Sequence, residues 1–554
     1  MKKHLCLARL GENTFVGEGS AGVSPAVFGV PPKTFLGPDR ELFGSARPCE
    51  KQSARRRLPR PRRSRSQFFS ASVRLSVLCL FALLLVLPIF AAERLNVLLI
   101  IADDLRDTVG CYGNTQVKTP NIDRLAQRGV RFEHAYVQYP VCNPSRTSFL
   151  TGLRCEQTRV VGNATMFRSL MPDVVTLPQL LRQSGWHTVS FGKIFHVGEV
   201  MGEIRDGWND LGKSWDEARM FQPTGEGQVI EGRNMTGGKL KWCQWGATAG
   251  SDEDQPDGQT ARHSIEAIEK LTRHGKPWMV AAGFHRPHDP FISPKKYFDL
   301  YPPGSLKLYH DPTNITALKP LSIGGGAFAE AFNAFSDVER MEFLRAYYAG
   351  VSFTDAQVGR LMDALDRLKL WDKTVVIFIG DHGYHHNERN WWNKNTLFER
   401  SCRAPFIVVA PDGKRGEVCR ALIEFVDIYP TVADYCGVKA PHQLAGQTLR
   451  PLLQNPSGKG RDAAFTLVMR GQHYGQAVRT ERWRYIQWTD GQAELYDELN
   501  DPDETRDVAG DPANAALIED LKARLKKVGP FVPDKAAQPK AKKQANRGKA
   551  GISQ

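Results

Sequence analysis

From residue 96 onward the chain alternates two apolar patterns. Residues 96–101 (NVLLII) are continuously apolar and β-branched, as a central strand buried on both faces requires. Runs of the same kind at 187–191, 278–282, 374–379 and 405–410 predict further strands. Between them lie stretches with helical spacing: one opened by Thr119-Pro120 and stopped by Gly129, then 177–184, 259–273, about 339–368 and 427–436. Repeated strand–helix alternation predicts the α/β class, a large mostly parallel sheet sandwiched by helices. After about Pro441 the pattern shortens. Alternating runs at 465–469, 475–479, 483–487 and 493–496 predict a smaller C-terminal antiparallel sheet, with a helix over 514–527 packed on it. Residues 200–260, rich in Gly, Trp and Asp, have no clear period and read as a long insertion beside the active-site mouth. No internal repeat is visible.

Composition changes this picture at the two ends. The 554 residues, 41% hydrophobic and 24% charged, suffice for a large core. The formal charge of +14 is uneven: residues 1–74 carry +10, residues 534–554 carry +5, and the body between them carries −1. A basic pI that belongs to two tails removes the main support for a nucleic-acid partner. Residues 75–90 (LSVLCLFALLLVLPIF) are uncharged, short for a membrane span and suited to a signal-peptide core, with an uncleaved anchor as the alternative. The predicted organisation is a basic low-complexity extension over 1–74, signal peptide or membrane anchor over 75–92, a large α/β domain over 93–440, a C-terminal subdomain over 441–533 and a disordered basic tail over 534–554. The chain is expected to be exported, periplasmic or secreted, or anchored through residues 75–90. Residues 1–66 are unlike a normal n-region, so translation is expected to start near the hydrophobic run. Seven of the ten cysteines follow that run, and their spacing identifies no pairing. Asn163, Asn234 and Asn314 head N-x-T sequons, which matter only in a host that glycosylates.

Candidate chemistry concentrates at Cys142-Asn143-Pro144-Ser145-Arg146. Pro144 suits the first turn of a helix, which puts Cys142 at the helix start, where free N–H groups and the macrodipole favour negative charge. Arg146 at i+4 shares its face. By itself such a cysteine is most often a small buried hydrophobe. Three acids, Asp103, Asp104 and Asp381, fall at the carboxyl ends of predicted strands, where α/β sheets place their sites. Brought together without cations they would repel, so a divalent metal is their natural occupant, with His382 adjacent. Hard oxygen ligands favour Ca²⁺ or Mg²⁺ over Zn²⁺.

The run C-x-P-S-R-x-x-x-L-T-G from Cys142 to Gly152 resembles the sulfatase signature at every fixed position. NVLLIIADDLR, GKIFH, GFHRPHDPF, YYAGVSFTDAQVGRL, the spacing from Asp381 to Lys394, and ELYDELNDPDETRDVA extend the resemblance over about residues 94–510, toward the iduronate-2-sulfatase branch. The resemblance implies an alkaline phosphatase-like fold over 93–440 and conversion of Cys142 to formylglycine by a formylglycine-generating enzyme. It implies a metal, Ca²⁺ before Mg²⁺, held by Asp103, Asp104, Asp381, His382 and the oxygen of modified Cys142. Many sulfatases carry Asn at the place of His382, while the iduronate-2-sulfatase branch has the same Asp-His-Gly. Arg146 and Lys193 would steady the aldehyde hydrate, Lys394 and His285 would grip the sulfate and leaving oxygen, and His196 would act on the hydrate. One hydroxyl, its proton taken by Asp381, would attack sulfur, and His285 or Lys394 would protonate the departing alcohol. Loss of the second hydroxyl's proton to His196 would then expel sulfate as the aldehyde returns.

The implied substrate is a sulfated saccharide. Two segments depart from the iduronate-2-sulfatase branch, residues 153–158 and Tyr384-His385-His386-Asn387, and both are expected to ring the pocket. Arg286 stands where relatives carry Lys and is a candidate for a substrate carboxylate. His288, His385 and His386 are candidate cleft residues, whereas Asp355 reads as a packing contact. Two other readings stay open: a phosphodiester or phosphonate monoester hydrolase on the same residues, and a non-catalytic glycan-binding relative whose Cys142 remains a thiol. Sugar, linkage position, exo or endo action and oligomeric state are left open.

Overall fold

The computed structural model describes residues 94–196, 209–325 and 327–532. Its centre is an eight-stranded sheet of β1 (Asn96–Ala102), β2 (Val130–Tyr136), β3 (His187–Gly192), β4 (Glu217–Arg219), β5 (Trp278–Phe284), β6 (Thr374–Gly380), β7 (Phe406–Val409) and β8 (Glu417–Glu424), in the order β8-β2-β7-β6-β1-β5-β3-β4. All neighbours pair in parallel except β7, which runs antiparallel to both β6 and β2. β1 shows why its sequence is continuously apolar. Leu98, Ile100 and Ala102 enter one core and Val97, Leu99 and Ile101 the other, so neither face meets water. Truncating any of these large residues to Ala removes about 2–5 kcal/mol.

Helices α1 (Pro120–Arg128), α4 (Pro256–Arg273) and α5 (Asp337–Leu368) fill the first core, and α2 (Cys142–Thr151), α3 (Leu177–Gln183) and α6 (Ile428–Tyr435) the second. The 32-residue α5 begins with a capping box between Ser336 and Glu339 and ends at Lys369 in the left-handed region. Midway along it, Asp355 accepts the Asn121 and Ile122 N–H groups at 3.0 and 2.7 Å, satisfying the first turn of α1, whose own Thr119 supplies no side-chain cap. The expected packing role of Asp355 is thus a cap delivered from another helix.

Most predicted elements appear within a few residues of their expected limits. β2 and β8 were not expected, and the insertion holds more order than its composition suggests: Ile230–Asn234 and Gln244–Thr248 form a hairpin that Phe291–Pro294 extends to three strands. The C-terminal sheet is β9 (Ala464–Arg470), β10 (His473–Arg479), β11 (Trp483–Trp488) and β12 (Ala493–Asp497), antiparallel throughout. Helix α7 (Ala515–Val528) covers one face and Leu397 and Phe398 pack on the other. Residues 1–93, the hydrophobic run among them, and the tail from 533 lie outside the described residues. No described helix is long and apolar enough to cross a membrane. The seven described cysteines are all free thiols.

Candidate active site

The ends of β1 and β6 lie against each other. A Cβ on Gly380 would come within 2.0 Å of the Leu105 carbonyl oxygen, so only glycine permits this approach. Asp103 and Asp104 leave β1, and Asp104, at φ 62°, donates its N–H to Asp381 Oδ1 at 2.9 Å. β3 ends at Gly192, φ 71°, which turns Lys193 inward. Lys193 Nζ bonds Asp103. α2 arrives from the other side, starting at Cys142 with Val141 extended before it, and all ten of its residues are buried. Arg146, one turn on, bonds Asp381 Oδ2 at 2.9 Å and Asp103 Oδ1 at 3.1 Å. Lys394 Nζ bonds Asp104 and lies 3.4 Å from Cys142 Sγ. Three carboxylates and three cations therefore meet at the start of α2, with Lys394, Asp103 and Asp104 beside the Cys142 sulfur.

Their charge states follow. Against burial, Lys193 holds Asp103 well below the usual carboxylate range, and Asp104 is likewise lowered, with His288 and Lys394 opposing its burial. Burial pushes Asp381 up. Asp104 in turn keeps Lys394 protonated against its own burial, as Asp103 does Lys193. Burial, reinforced by Asp103, pushes the Cys142 thiol above its ordinary value, so this sulfur is not an activated thiolate.

The corner also fits a cation. His382 donates from Nδ1 to the Gly383 carbonyl at 2.9 Å, which leaves the Nε2 lone pair facing Asp104 Oδ1 at 3.2 Å and Asp381 Oδ1 at 3.6 Å. Burial keeps this ring neutral. Among the described residues neither His382 Nε2 nor Asp104 Oδ2 has a hydrogen-bond partner. Lone pairs buried against lone pairs are stable only around a positive centre. Ligand atoms of Asp103, Asp104, Cys142 and His382 all lie within 4.8 Å of one another. Asp381 stands at the edge of this set, with its oxygens engaged by the Asp104 N–H and Arg146.

The remaining candidates divide. His196 and His285 are coupled electrostatically to Lys193 and Asp103, and burial first, then Lys193, pushes them down to about 2 and about 3. His288 lies 3.8 Å from Asp104 Oδ2 and is partly exposed. Arg286, the candidate for a substrate carboxylate, is already engaged at two of its nitrogens: Nε and Nη1 donate to the carbonyls of Ile292 and His288 at 2.6 and 2.7 Å. His385 and His386 do not line a cleft. His385 bonds Thr396 and the Glu388 carbonyl, and His386 packs edge-on against Tyr347 at 4.2 Å. Tyr384 and Asn387 are buried with them, and Tyr384 is linked electrostatically to Asp104 and Lys394.

Comparison with known proteins agrees with this geometry. The family model described as Sulfatase matches residues 95–438, well over half of the chain. The chain belongs to the sulfatase family. A second model, N-sulphoglucosamine sulphohydrolase, C-terminal, matches residues 387–529 of this sulfatase. A sulfatase of Formosa agariphila is 31% identical over 462 residues, covering 78% of this chain and 87% of its own. Human iduronate 2-sulfatase is 31% identical over 398 residues, covering 63% and 70%. Among solved structures, the phosphonate monoester hydrolase of Agrobacterium radiobacter superposes with a TM-score of 0.64 at 24% identity, covering 78% and 95%, and so shares the fold. The family makes this chain a hydrolase of sulfate esters.

Sequence reasoning missed the supports of this sulfatase site. Asp257, Arg106 and Glu388 are buried and Asp107 is partly buried beside them, and Arg106 Nη1 bonds Glu388 Oε1 at 2.5 Å. In sequence they read as solvated or capping charges. The loop they brace carries Asn387, Arg389, Asn390, Asn393 and Asn395 at positive φ, the run that delivers Lys394. Its asparagine content was the available signal.

Proposed function

We propose that the protein removes sulfate from a sulfated saccharide, using formylglycine made from Cys142. The observation that carries this reading is the buried Cys142 sulfur set beside Lys394 Nζ and among Asp103, Asp104 and His382. A thiol whose ionisation burial opposes is a poor nucleophile, whereas an aldehyde at the same carbon, once hydrated, supplies a hydroxyl and a way to release the ester. A divalent cation, Ca²⁺ before Mg²⁺, would be held by Asp103, Asp104 and His382 with Asp381 at its edge, and when bound would lower a hydroxyl's pKa and draw charge from the sulfate.

The side chains divide the rest of the work. Asp381, raised by burial, accepts the nucleophile's proton. Arg146, Lys193 and Lys394 face the position where negative charge grows on sulfate oxygens, the electrostatic contribution that is usually largest. Burial and Lys193 keep His285 neutral, and the incoming anionic ester raises its basicity so that it takes up a proton and delivers it to the leaving oxygen. His196 takes the proton whose loss regenerates the aldehyde. The resemblance to iduronate 2-sulfatase supports the saccharide class, and residues 153–158 are where the sugar preference would differ. Export, and contact with the modifying enzyme, follow from the hydrophobic run at 75–90 and the signature.

The test is release of inorganic sulfate from aryl sulfates and defined sulfated oligosaccharides, measured beside hydrolysis of an aryl phosphodiester. Sulfate release that disappears in Cys142→Ala is expected. A dominant phosphodiesterase activity would favour the phosphonate-hydrolase reading that the shared fold keeps in view. An untouched thiol at Cys142 in a mass spectrum of exported, active protein would contradict the formylglycine step.

A further inference from the structure

Behind His285 lies a carboxylate with an unfilled role. Asp257 is the second residue of α4 and is only 1% exposed. Its Oδ1 accepts the His285 N–H and its Oδ2 the Arg286 N–H, both at 2.8 Å, so it grips the start of the loop that follows β5. A residue that only held this loop would be complete there. Yet Oδ1 also stands 3.8 Å from His285 Nδ1, a buried atom without a hydrogen-bond partner among the described residues. Each carboxylate oxygen has a second lone pair, and a small rotation of the ring would place Nδ1–H on it.

We propose that Asp257 is a positioning residue for His285, fixing its proton on Nδ1 and aiming Nε2 into the pocket. Burial raises Asp257 to about 6, which leaves it ionised above neutrality and able to support positive charge on the ring. As the S–O bond to the leaving group breaks, its electron pair stays on the departing oxygen. The ring enters this step as the imidazolium, having taken a second proton at Nε2 from solvent as the anionic ester binds; the departing oxygen takes that proton, and the ring is left neutral with its other proton shared with Asp257. The arrangement is a carboxylate–imidazole pair assembled from a helix start and a strand end, and it rests on the reading of His285 as proton donor.

A proton donor matters most when the leaving group is poor, so the test uses a series of aryl sulfates of rising phenol pKa and the full-length enzyme. Asp257→Asn and His285→Gln are each expected to lose about 100-fold in kcat on the poorest leaving group and only about threefold on 4-nitrophenyl sulfate. Asp257→Asn added to His285→Gln should steepen the dependence no further. Equal loss across the series in Asp257→Asn, with a steepened series in His285→Gln, would overturn the inference alone and leave Asp257 as a loop anchor. A series unchanged in slope for His285→Gln would remove the donor role itself, and the inference with it. If Asp257→Asn does not fold, Asp257→Ser, which keeps an acceptor for the main-chain N–H groups, is read the same way.

Discussion

Two buried clusters in this protein contain the same number of charges and behave differently. At the seam with the C-terminal sheet, Arg403, Arg479 and Arg484 meet Glu399, Glu498 and Glu504. Each glutamate there points at a guanidinium: Arg484 Nε lies 2.9 Å from Glu498 and 2.6 Å from Glu504. Around Cys142, three carboxylates again face three cations, but His382 Nε2 and Asp104 turn lone pairs toward each other. Net charge does not separate a structural cluster from a functional one; direction does. At the seam every glutamate lies within salt-bridge distance of a guanidinium, even where burial and Glu498 push Glu504 up, whereas in the active site a neutral imidazole nitrogen and carboxylate oxygens converge on a shared point.

The comparison can be broken first at Cys142. Cys142→Ala removes the nucleophile's carbon chemistry, so kcat for sulfate release should fall by about 10⁴-fold or more with an unchanged melting temperature. The seam should respond in the opposite sense. Arg484→Met takes from Glu504 its guanidinium partner and from Glu399 and Glu498 one of theirs, and is expected to cost about 3–5 kcal/mol in denaturant titrations, while the folded fraction keeps its kcat. Chelation comes next. If the open corner binds a cation at 100 times its Kd, stripping the metal should lower stability by about 2.7 kcal/mol, and calcium should restore it.

The smallest effect is at acid pH. Against burial, Arg106 and Arg400 hold Glu388 well below the usual carboxylate range. Its contribution is therefore complete above the unfolded value of about 4.3 and is lost as pH falls below that toward the folded value. Glu388→Gln should flatten the fall of melting temperature below about pH 4 and leave the neutral-pH slope alone.

These contrasts explain what the sequence made legible. β1, β5 and β6 are buried on both faces, and a run such as NVLLII has no other stable home. β2 (VRFEHAY) is partly exposed on both sides of its apolar positions, and β8 carries a bulge between Cys419 and Leu422, so neither shows a clean period. The insertion strands depend on Phe291–Pro294, far away in sequence, and no local pattern reports that pairing. At the site, Cys142, Arg146 and the paired aspartates were readable because their spacing is fixed by one helix turn and by strand ends. Arg286, His385 and His386 were less legible because polarity in a loop suggests a pocket, whereas tertiary packing against Tyr347 and bonds to nearby carbonyls hold these side chains. Asp257 was invisible because an aspartate after proline at a helix start reads as a cap.

The central claim is that electron pairs left facing each other beside Cys142 are there to hold a hard divalent cation. Calorimetric titration of calcium into chelator-treated protein tests it most directly. One ion bound per chain, with binding lost in Asp104→Asn and retained in Arg484→Met variants that fold, is the expected result. No binding at millimolar calcium, or binding unchanged by Asp104→Asn, would contradict it.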